Sequence, residues 1–460
     1  MNNEEVKPKK KIALVLLRNQ FLISWIDSGI VDNLIDSGKF EVTVFAPQDI
    51  LERLPADARY DKIEIQSVGG SKAAKHLVAM NWVALRHKSS TFGFSLQRTF
   101  KSDYWFWSRQ LGIVAGTKQT LRNARTISWN IRKKSLVVLY SLPPFRIFAR
   151  VYKNRLGKAE LLPIEISEGA YEWLIMPSSA IDGITTDYIA ESRIIGLKSI
   201  VAIDNWDNLT SKSVYVVLPD YITVMGDRCV EHANLIHNFE TQSVLTFGLP
   251  RFDAHRRHLL SGKPLNKKVN QRVLYAGFSL AHSEKRVVDA IANHLDERFG
   301  PGSIEVHYRP HPIPIKRVDD YEITNKNIVV FEHQNLDRTG LPSMDEGFID
   351  SISDADVIVG APTTLMLEAM LLGRPCIIDQ TTDPYHRTTA SNAAKHFLHM
   401  KDLLTVPNLH IGNTINEILA GIDELLVRET DSISYEISHL YKTKDALYSE
   451  QLLAFLSAER

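Results

Sequence analysis

Residues 354–379 read DADVIVGAPTTLMLEAMLLGRPCIID, and the fold turns on how that stretch is read. Asp356-Val357-Ile358-Val359-Gly360 is a short apolar run of the kind that fills a parallel strand buried on both faces. Ala361-Pro362-Thr363-Thr364 turns the chain into an apolar helix from Leu365 to Leu372, Gly373 closes it, and Pro375 to Asp379 is the next strand. Strand, helix and strand in this order make a parallel βαβ unit. Thr363 and Thr364 fall at the helix start, where hydroxyls and unbonded N–H groups converge and the macrodipole favours an anion. The junction reads as a phosphate seat. Asp354-Ala355-Asp356 has the spacing of a metal-binding acid pair, but its place before a buried strand makes it a helix end and strand start.

Upstream, the β-rich run Ile304 to Tyr308 ends in Arg309-Pro310-His311-Pro312. Two prolines stop the strand and hold the imidazole at its C-terminal edge, the place for a ligand contact. Arg272 to Phe278 is a further strand running into Ser279, with a helix expected from His282 to Arg298. Ile328 to Phe331 is another, followed by Glu332 and His333 and an acidic connection to Asp350. After Asp379, the polar loop Asp383-Pro384-Tyr385-His386-Arg387 places His386 and Arg387 beside the same edge, either as donor contacts or as plain surface.

The N-terminal half repeats the pattern. Ile12 to Leu17 and Glu41 to Pro47 are strands flanking a helix that runs to Leu34, a first βαβ unit without a Gly-x-Gly-x-x-Gly. A dinucleotide-binding dehydrogenase loses its main support there. Strands follow at Trp173 to Ser179, Ser199 to Asp204, Tyr221 to Gly226 and Ser243 to Gly248. The strand ending at Asp204 delivers Asp204-Asn205-Trp206-Asp207-Asn208, more polar groups than a turn needs, at the sheet edge where ligands bind. An Asx-rich turn is the alternative. Gly248 and Pro250 break the last strand, and the charged run Arg256 to Lys268 reads as a linker.

The expected domains are therefore 1–255, 256–414, and C-terminal helices over 415–460, helical from Ile415 to Arg428 and from Ser434 to Ala458. A chain of 460 residues is long enough for two such cores. Lys and Arg total 54, as do Asp and Glu, so the chain as a whole is neutral. Residues 72–158 break that balance, with eighteen Lys or Arg against the single acid Asp103, and Phe92, Phe94, Tyr104 to Trp107, Trp129 and Phe145 between them. Three partners fit this segment: an anionic bilayer, nucleic acid, or water around a basic helical insertion. No nucleic-acid module accompanies it, so the expectation is a membrane surface and no nucleic acid. No apolar run reaches eighteen residues, and residues 1–11 are polar and basic, which argues against a spanning helix or a secretory signal. Only Cys229 and Cys376 occur, consistent with a reducing cytoplasm and with neither disulfide nor zinc site. The expected location is cytoplasmic, peripheral on the inner face of the cytoplasmic membrane.

RPHP at residues 309–312 together with residues 354–378 resembles the C-terminal half of GT-B transferases that build bacterial surface polysaccharides. These are the CDP-glycerol glycerophosphotransferases and the capsule or lipopolysaccharide transferases for Kdo and sialic acid. DNWDNL at residues 204–209 and the Gly248-to-Asp253 run, of the form G-x-PRFD, are similar to the end of their N-terminal domain. The resemblance implies an α/β GT-B fold, two Rossmann-like domains facing a cleft, with the basic segment inserted in the first. It implies that Arg309, His311, Pro312, Thr363 and Thr364 hold the phosphate of a cytidine nucleotide, with Glu368 toward the ribose. Gly277 and Ser279 would let backbone N–H groups approach that phosphate, although LYAGFS stands here where relatives read LYAPT. Glu332 and His333 would lie near the base. By position Asp27, in the loop after the first strand, is a base or nucleophile, or else an ordinary helix-start acid; Asp204 is the second catalytic candidate. Asn205, Asp207 and Asn208 would organise the acceptor side.

The implied activity is metal-independent transfer of a sugar or sugar-like unit from a nucleotide donor, CMP- or CDP-linked rather than UDP-linked, to a surface polysaccharide or lipid-linked acceptor. No cofactor beyond the donor is expected. The alternatives are a UDP-sugar 2-epimerase-like isomerase, which needs no acceptor, and a non-catalytic scaffold tethering capsule machinery to the membrane.

Overall fold

The structure is a computed structural model that describes residues 8–56, 58–66, 69–100, 113–114, 139–140, 145–178, 180–261, 270–278, 283–311, 321–331, 346–383, 389–427, 433–442 and 446–459. Seven strands form the first sheet: β1 (Lys10–Val15), β2 (Phe40–Ala46), β3 (Asp61–Glu64), β4 (Trp173–Ser178), β5 (Lys198–Ile203), β6 (Tyr221–Val224) and β7 (Val244–Thr246). Six form the second: β8 (Gln271–Ala276), β9 (Ile304–Arg309), β10 (Ile328–Val330), β11 (Val357–Gly360), β12 (Cys376–Asp379) and β13 (His410–Gly412). The orders are β3-β2-β1-β4-β5-β6-β7 and β10-β9-β8-β11-β12-β13, and every pairing is parallel. Each order reverses direction once, at β1/β4 and at β8/β11, which leaves a crevice at the carboxyl end of the sheet.

The alternation of side chains explains why both sheets are covered on both faces. In β1, Ile12 and Leu14 pack with Trp25 and Trp173 on one face, while Ala13 and Val15 pack with Tyr188 and Ile189 on the other. In the second sheet, Val273, Tyr275, Val357 and Val359 meet Val288, Ile291 and Ile418. Leu274 and Ile358 face the opposite way, onto Met366 and Met370. That last cluster is continuous with the core of the first domain through Phe252, Tyr435, Leu440 and Tyr441.

Two stretches depart from the sequence reading. Residues expected to be a linker begin as a helix, Phe252–Leu260, which buries Phe252, Asp253 and His255 and packs on the helix Thr364–Leu371. Arg256 is half-buried beside them and donates to the Ala446 carbonyl, while Arg257, exposed, donates to the Ser28 carbonyl at 2.9 Å, so the run read as solvent-loving is a packed connector. Residues 262–269 lie outside the described residues. Near the C-terminus, Ile415–Val427 is helical and packs in the second domain, but residues 433–442 run without a helix back toward the first. The next helix, Tyr448–Ala458, lies on the first domain, where Tyr448, Leu452 and Leu456 join its core. The buried Asp253 carboxylate accepts from the N–H groups of Tyr448 (2.8 Å) and Ser449 (3.2 Å) and so satisfies two donors of that helix's first turn.

The basic segment begins with the helix Lys72–Leu85, whose cap Ser71 accepts from Ala74 N–H and donates to Asp187 at 2.9 Å, seating it on the helix Gly183–Ile194. The helix Ser90–Phe100 then reaches the second domain. Ser90 Oγ donates to the His396 carbonyl (2.7 Å), Thr91 Oγ1 accepts from Leu398 N–H (3.0 Å), and Phe94 stacks on His396 at 4.2 Å. Phe92 and Phe94 are buried. These two aromatics therefore pack protein against protein rather than facing a bilayer. Tyr104 to Trp107 and Trp129 lie outside the described residues, and among the described residues no helix is long and apolar enough to cross a membrane.

Candidate functional site

Because all strands run parallel, the carboxyl ends of β1, β4 and β5 share one edge, and those of β8, β9 and β11 share another. The two edges meet. Thr364 Oγ1 donates to Asn205 Oδ1 at 3.0 Å across the domain junction. On the first-domain side stands the loop after β5, closed by the short helix Asn208–Ser211. Trp206 is buried edge-on against His399 (5.0 Å), and Thr210 Oγ1 lies 2.7 Å from His399 Nδ1. Burial pushes the His399 imidazole down to about 4, so it sits there as a neutral spacer.

Asp204 and Asp207 are two residues apart and differ in kind. Asp207 Oδ2 is 3.0 Å from Lys212 Nζ, and Ser211 Oγ donates to it at 3.1 Å. Burial alone would raise its pKa, but Lys212, His399 and these hydrogen bonds outweigh that and hold it below the usual aspartate value. Asp204 accepts from Gln20 Nε2 at 2.6 Å. Burial pushes its pKa up, opposed by Arg251, Lys212 and Arg18 and reinforced by Asp207. A carboxyl with a raised pKa at a cleft is suited to take a proton. Asn208 is fully buried beneath this loop.

Opposite stands the start of the helix Thr364–Leu371. Thr363 is its cap residue, with φ −128° and ψ 172°, yet its side chain makes no capping bond. Its Oγ1 is buried and has no hydrogen-bond partner among the described residues. A buried hydroxyl at a helix N-terminus without a protein partner can donate to an oxygen acceptor. Thr364 is not equivalent, since its hydroxyl is given to Asn205.

Glu368, one turn on, is buried, and its Oε1 lies 3.3 Å from Arg251 Nη2. The Arg251 contact is an ion pair without hydrogen-bond geometry: Nε and Nη2 of that guanidinium are buried and hydrogen-bonded to nothing among the described residues. Arg251 comes from the turn after β7, at the entrance of the connector helix. Neither Arg251 nor Gln20 was singled out by sequence. The arginine stood in plain sight in the Gly248-to-Asp253 motif, read only as a domain border, and Gln20 is one polar residue in a loop with no pattern.

His311 and Arg309 lie at the end of β9, half-buried. The registers Ala276↔Arg309 and Gly360↔Ala276 put Arg309 and Gly360 level on either side of β8, about 10 Å apart by two strand spacings. His311 and Thr363 thus flank the switch point. The Arg309 guanidinium lies 4.2 Å over the Phe348 ring. Gly277 is not an N–H donor in waiting: its N–H is given to the Arg309 carbonyl at 2.8 Å. A Cβ there would stand 2.8 Å from His311 N and from Glu284 Oε2, so glycine lets the two loops close on each other. Asp27 ends a π-helical turn, Ile23–Asp27, and is exposed, while the hydrogen bond from this loop to Asp204 comes from Gln20. Ser279, Pro312, Glu332, His333, His386 and Arg387 lie outside the described residues.

No protein-family description matches the chain, and no curated protein matches it by sequence. Among solved structures, the UDP-GlcNAc 2-epimerase from Methanocaldococcus jannaschii aligns over 98% of this chain and 100% of its own, at 11% identity and a TM-score of 0.51. The S. aureus MnaA–UDP structure aligns over 97% of this chain and 96% of its own, at 11% identity and 0.51. The calicheamicin glycosyltransferase CalG4 aligns over 92% and 91%, at 9% identity and a looser 0.41. Two parallel Rossmann-like domains meeting at their carboxyl edges make this a GT-B protein. Identities this low speak to the fold alone.

Proposed function

We propose that the chain is a GT-B transferase that moves a sugar or sugar-like unit from a nucleotide donor to a surface glycan or lipid-linked acceptor. One observation supports the reading: the loop after β5 and the start of the helix Thr364–Leu371 are in hydrogen-bond contact, Asp204 and the unbonded Thr363 hydroxyl standing on the residues next to that contact. Thr363, the first-turn N–H groups and His311 hold the donor phosphate and stabilise it as it leaves. Asp204 takes the proton from the acceptor hydroxyl, whose oxygen bonds to the transferred carbon as the bond to phosphate breaks. Arg251 keeps Asp204 ionised and Glu368 in place. The resemblance of RPHP and the threonine pair to the cytidine-dependent transferases favours a CMP- or CDP-linked donor.

Melting curves with CMP, CDP, UDP and GDP test the nucleotide, because a ligand at a hundred times its Kd adds about 2.7 kcal/mol to the folded state. Cytidine nucleotides should give the largest shift. A second reading, a 2-epimerase, shares this fold, which the M. jannaschii UDP-GlcNAc 2-epimerase also has. It predicts that a UDP-sugar alone, without acceptor, is converted to its 2-epimer in an NMR tube. Appearance of that epimer would replace the transfer reading.

A further inference from the structure

The helix Phe145–Lys153 turns Ile147 and Val151 away from the protein. It packs on the helix Lys72–Leu85, with Tyr152 facing inward and stacked on His76 at 4.9 Å. At about 100° per residue, Ile147 and Val151 project from the far side. Ile147 is 70% exposed and Val151 44%. Arg150 and Lys153 occupy the adjoining flank, and Arg150, Lys153, Arg155 and Lys158 are all exposed. An apolar arc beside a basic arc, both outside the fold, is the pattern of a helix that lies in an interface.

We propose that this helix docks the protein on an anionic lipid bilayer, Ile147 and Val151 entering the acyl boundary while Arg150, Lys153, Arg155 and Lys158 meet headgroup phosphates. Charge selects this occupant. Residues 72–158 hold eighteen basic residues and one acid while the rest of the chain is acidic overall, and Arg150, Lys153, Arg155 and Lys158 are exposed around this helix, so a partner seated on it is negative. Nucleic acid would explain the charge but not the aliphatic arc. A second copy of the chain would cover the aliphatic arc but would bring two basic surfaces together.

The test is co-sedimentation of the full chain with vesicles of phosphatidylcholine alone or with one part in three of phosphatidylglycerol, a readout independent of turnover and of the transfer reading. Binding should favour the anionic vesicles by more than about tenfold and weaken in high salt. Ile147→Ser with Val151→Ser should lower binding to the anionic vesicles several-fold, and Arg150→Gln with Lys153→Gln should erase the preference, both with an unchanged melting temperature because these side chains are exposed. Equal binding to both vesicles, binding to neither, or full binding by the aliphatic pair variant would overturn the proposal. So would a dimer in sedimentation velocity that the aliphatic variant dissociates.

Discussion

The loop after β5 and the junction after β11 meet through the Thr364–Asn205 hydrogen bond, and they treat their polar groups in opposite ways. In the first, Asp207 is bonded to Ser211 and Lys212, and Thr210 to His399. In the second, the Thr363 hydroxyl and two nitrogens of the neighbouring Arg251 are buried and hydrogen-bonded to nothing among the described residues. Buried polar groups in folded proteins are nearly always satisfied, since an unmet one costs about 1–3 kcal/mol. Under the transfer reading, the Thr363 hydroxyl is the group that would meet the donor, while Asp207 and Thr210 hold the loop's shape. Asp204 alone crosses the line, sitting in the satisfied loop with a carboxyl held above its usual pKa.

Asp204→Asn should give the largest effect, lowering turnover by about 10²–10⁴-fold while the nucleotide-induced melting shift persists. If turnover survives, Asp204 is one more structural member of its loop. Thr363→Val should weaken nucleotide binding by about 1.5–3 kcal/mol and leave the stability of the free protein level or slightly raised, because the lost hydroxyl had no partner. A drop in stability without a change in nucleotide affinity would erase the contrast. Asp207→Ala should behave the other way, costing about 1–3 kcal/mol in urea unfolding with nucleotide affinity intact.

The two aspartates should also differ with pH. The folded-state pKa of Asp207 is depressed, so its contribution is complete above the unfolded value of about 3.9 and is lost as pH falls through the folded value. Asp207→Asn should therefore flatten the acid loss of stability. Asp204 has a raised pKa; if it is the base it works only as the carboxylate, and turnover should fall as pH drops through a point above the ordinary aspartate value. Arg251 is the largest downward pull on it. Arg251→Gln combined with Glu368→Gln, which removes both members of that ion pair, should move the acid limb upward. A rate profile unmoved by the pair would remove Arg251 from the base.

Much of this was legible in the sequence because long apolar runs mark strands buried on both faces. Eleven of the strands follow from such runs, and β3 and β13 escaped for one reason: Asp61–Glu64 and His410–Gly412 lie at sheet edges, are short, and leave most of their residues exposed or half-buried. The connector helix escaped because its buried face mixes Phe252 with Asp253 and His255, which hides the helical period. For the site, Asp204 to Asn208 and the threonine pair stood out as polar clusters at strand ends. Their contact with each other did not, and neither did the different fates of Thr363 and Thr364. Those depend on how two lobes dock, and no local pattern encodes that.

The backbone passes between the lobes twice, once through the helix Phe252–Leu260 and again through the returning segment that leads to Tyr448–Ala458. A single tether would let one lobe swivel freely about the other. A pair of tethers defines an axis, and the Asp253 carboxylate pins them together where they pass. Any opening of the cleft is thereby confined to one swing, like a door on two pins, and a ligand seated between Thr363 and Asp204 would meet the same geometry at every closure.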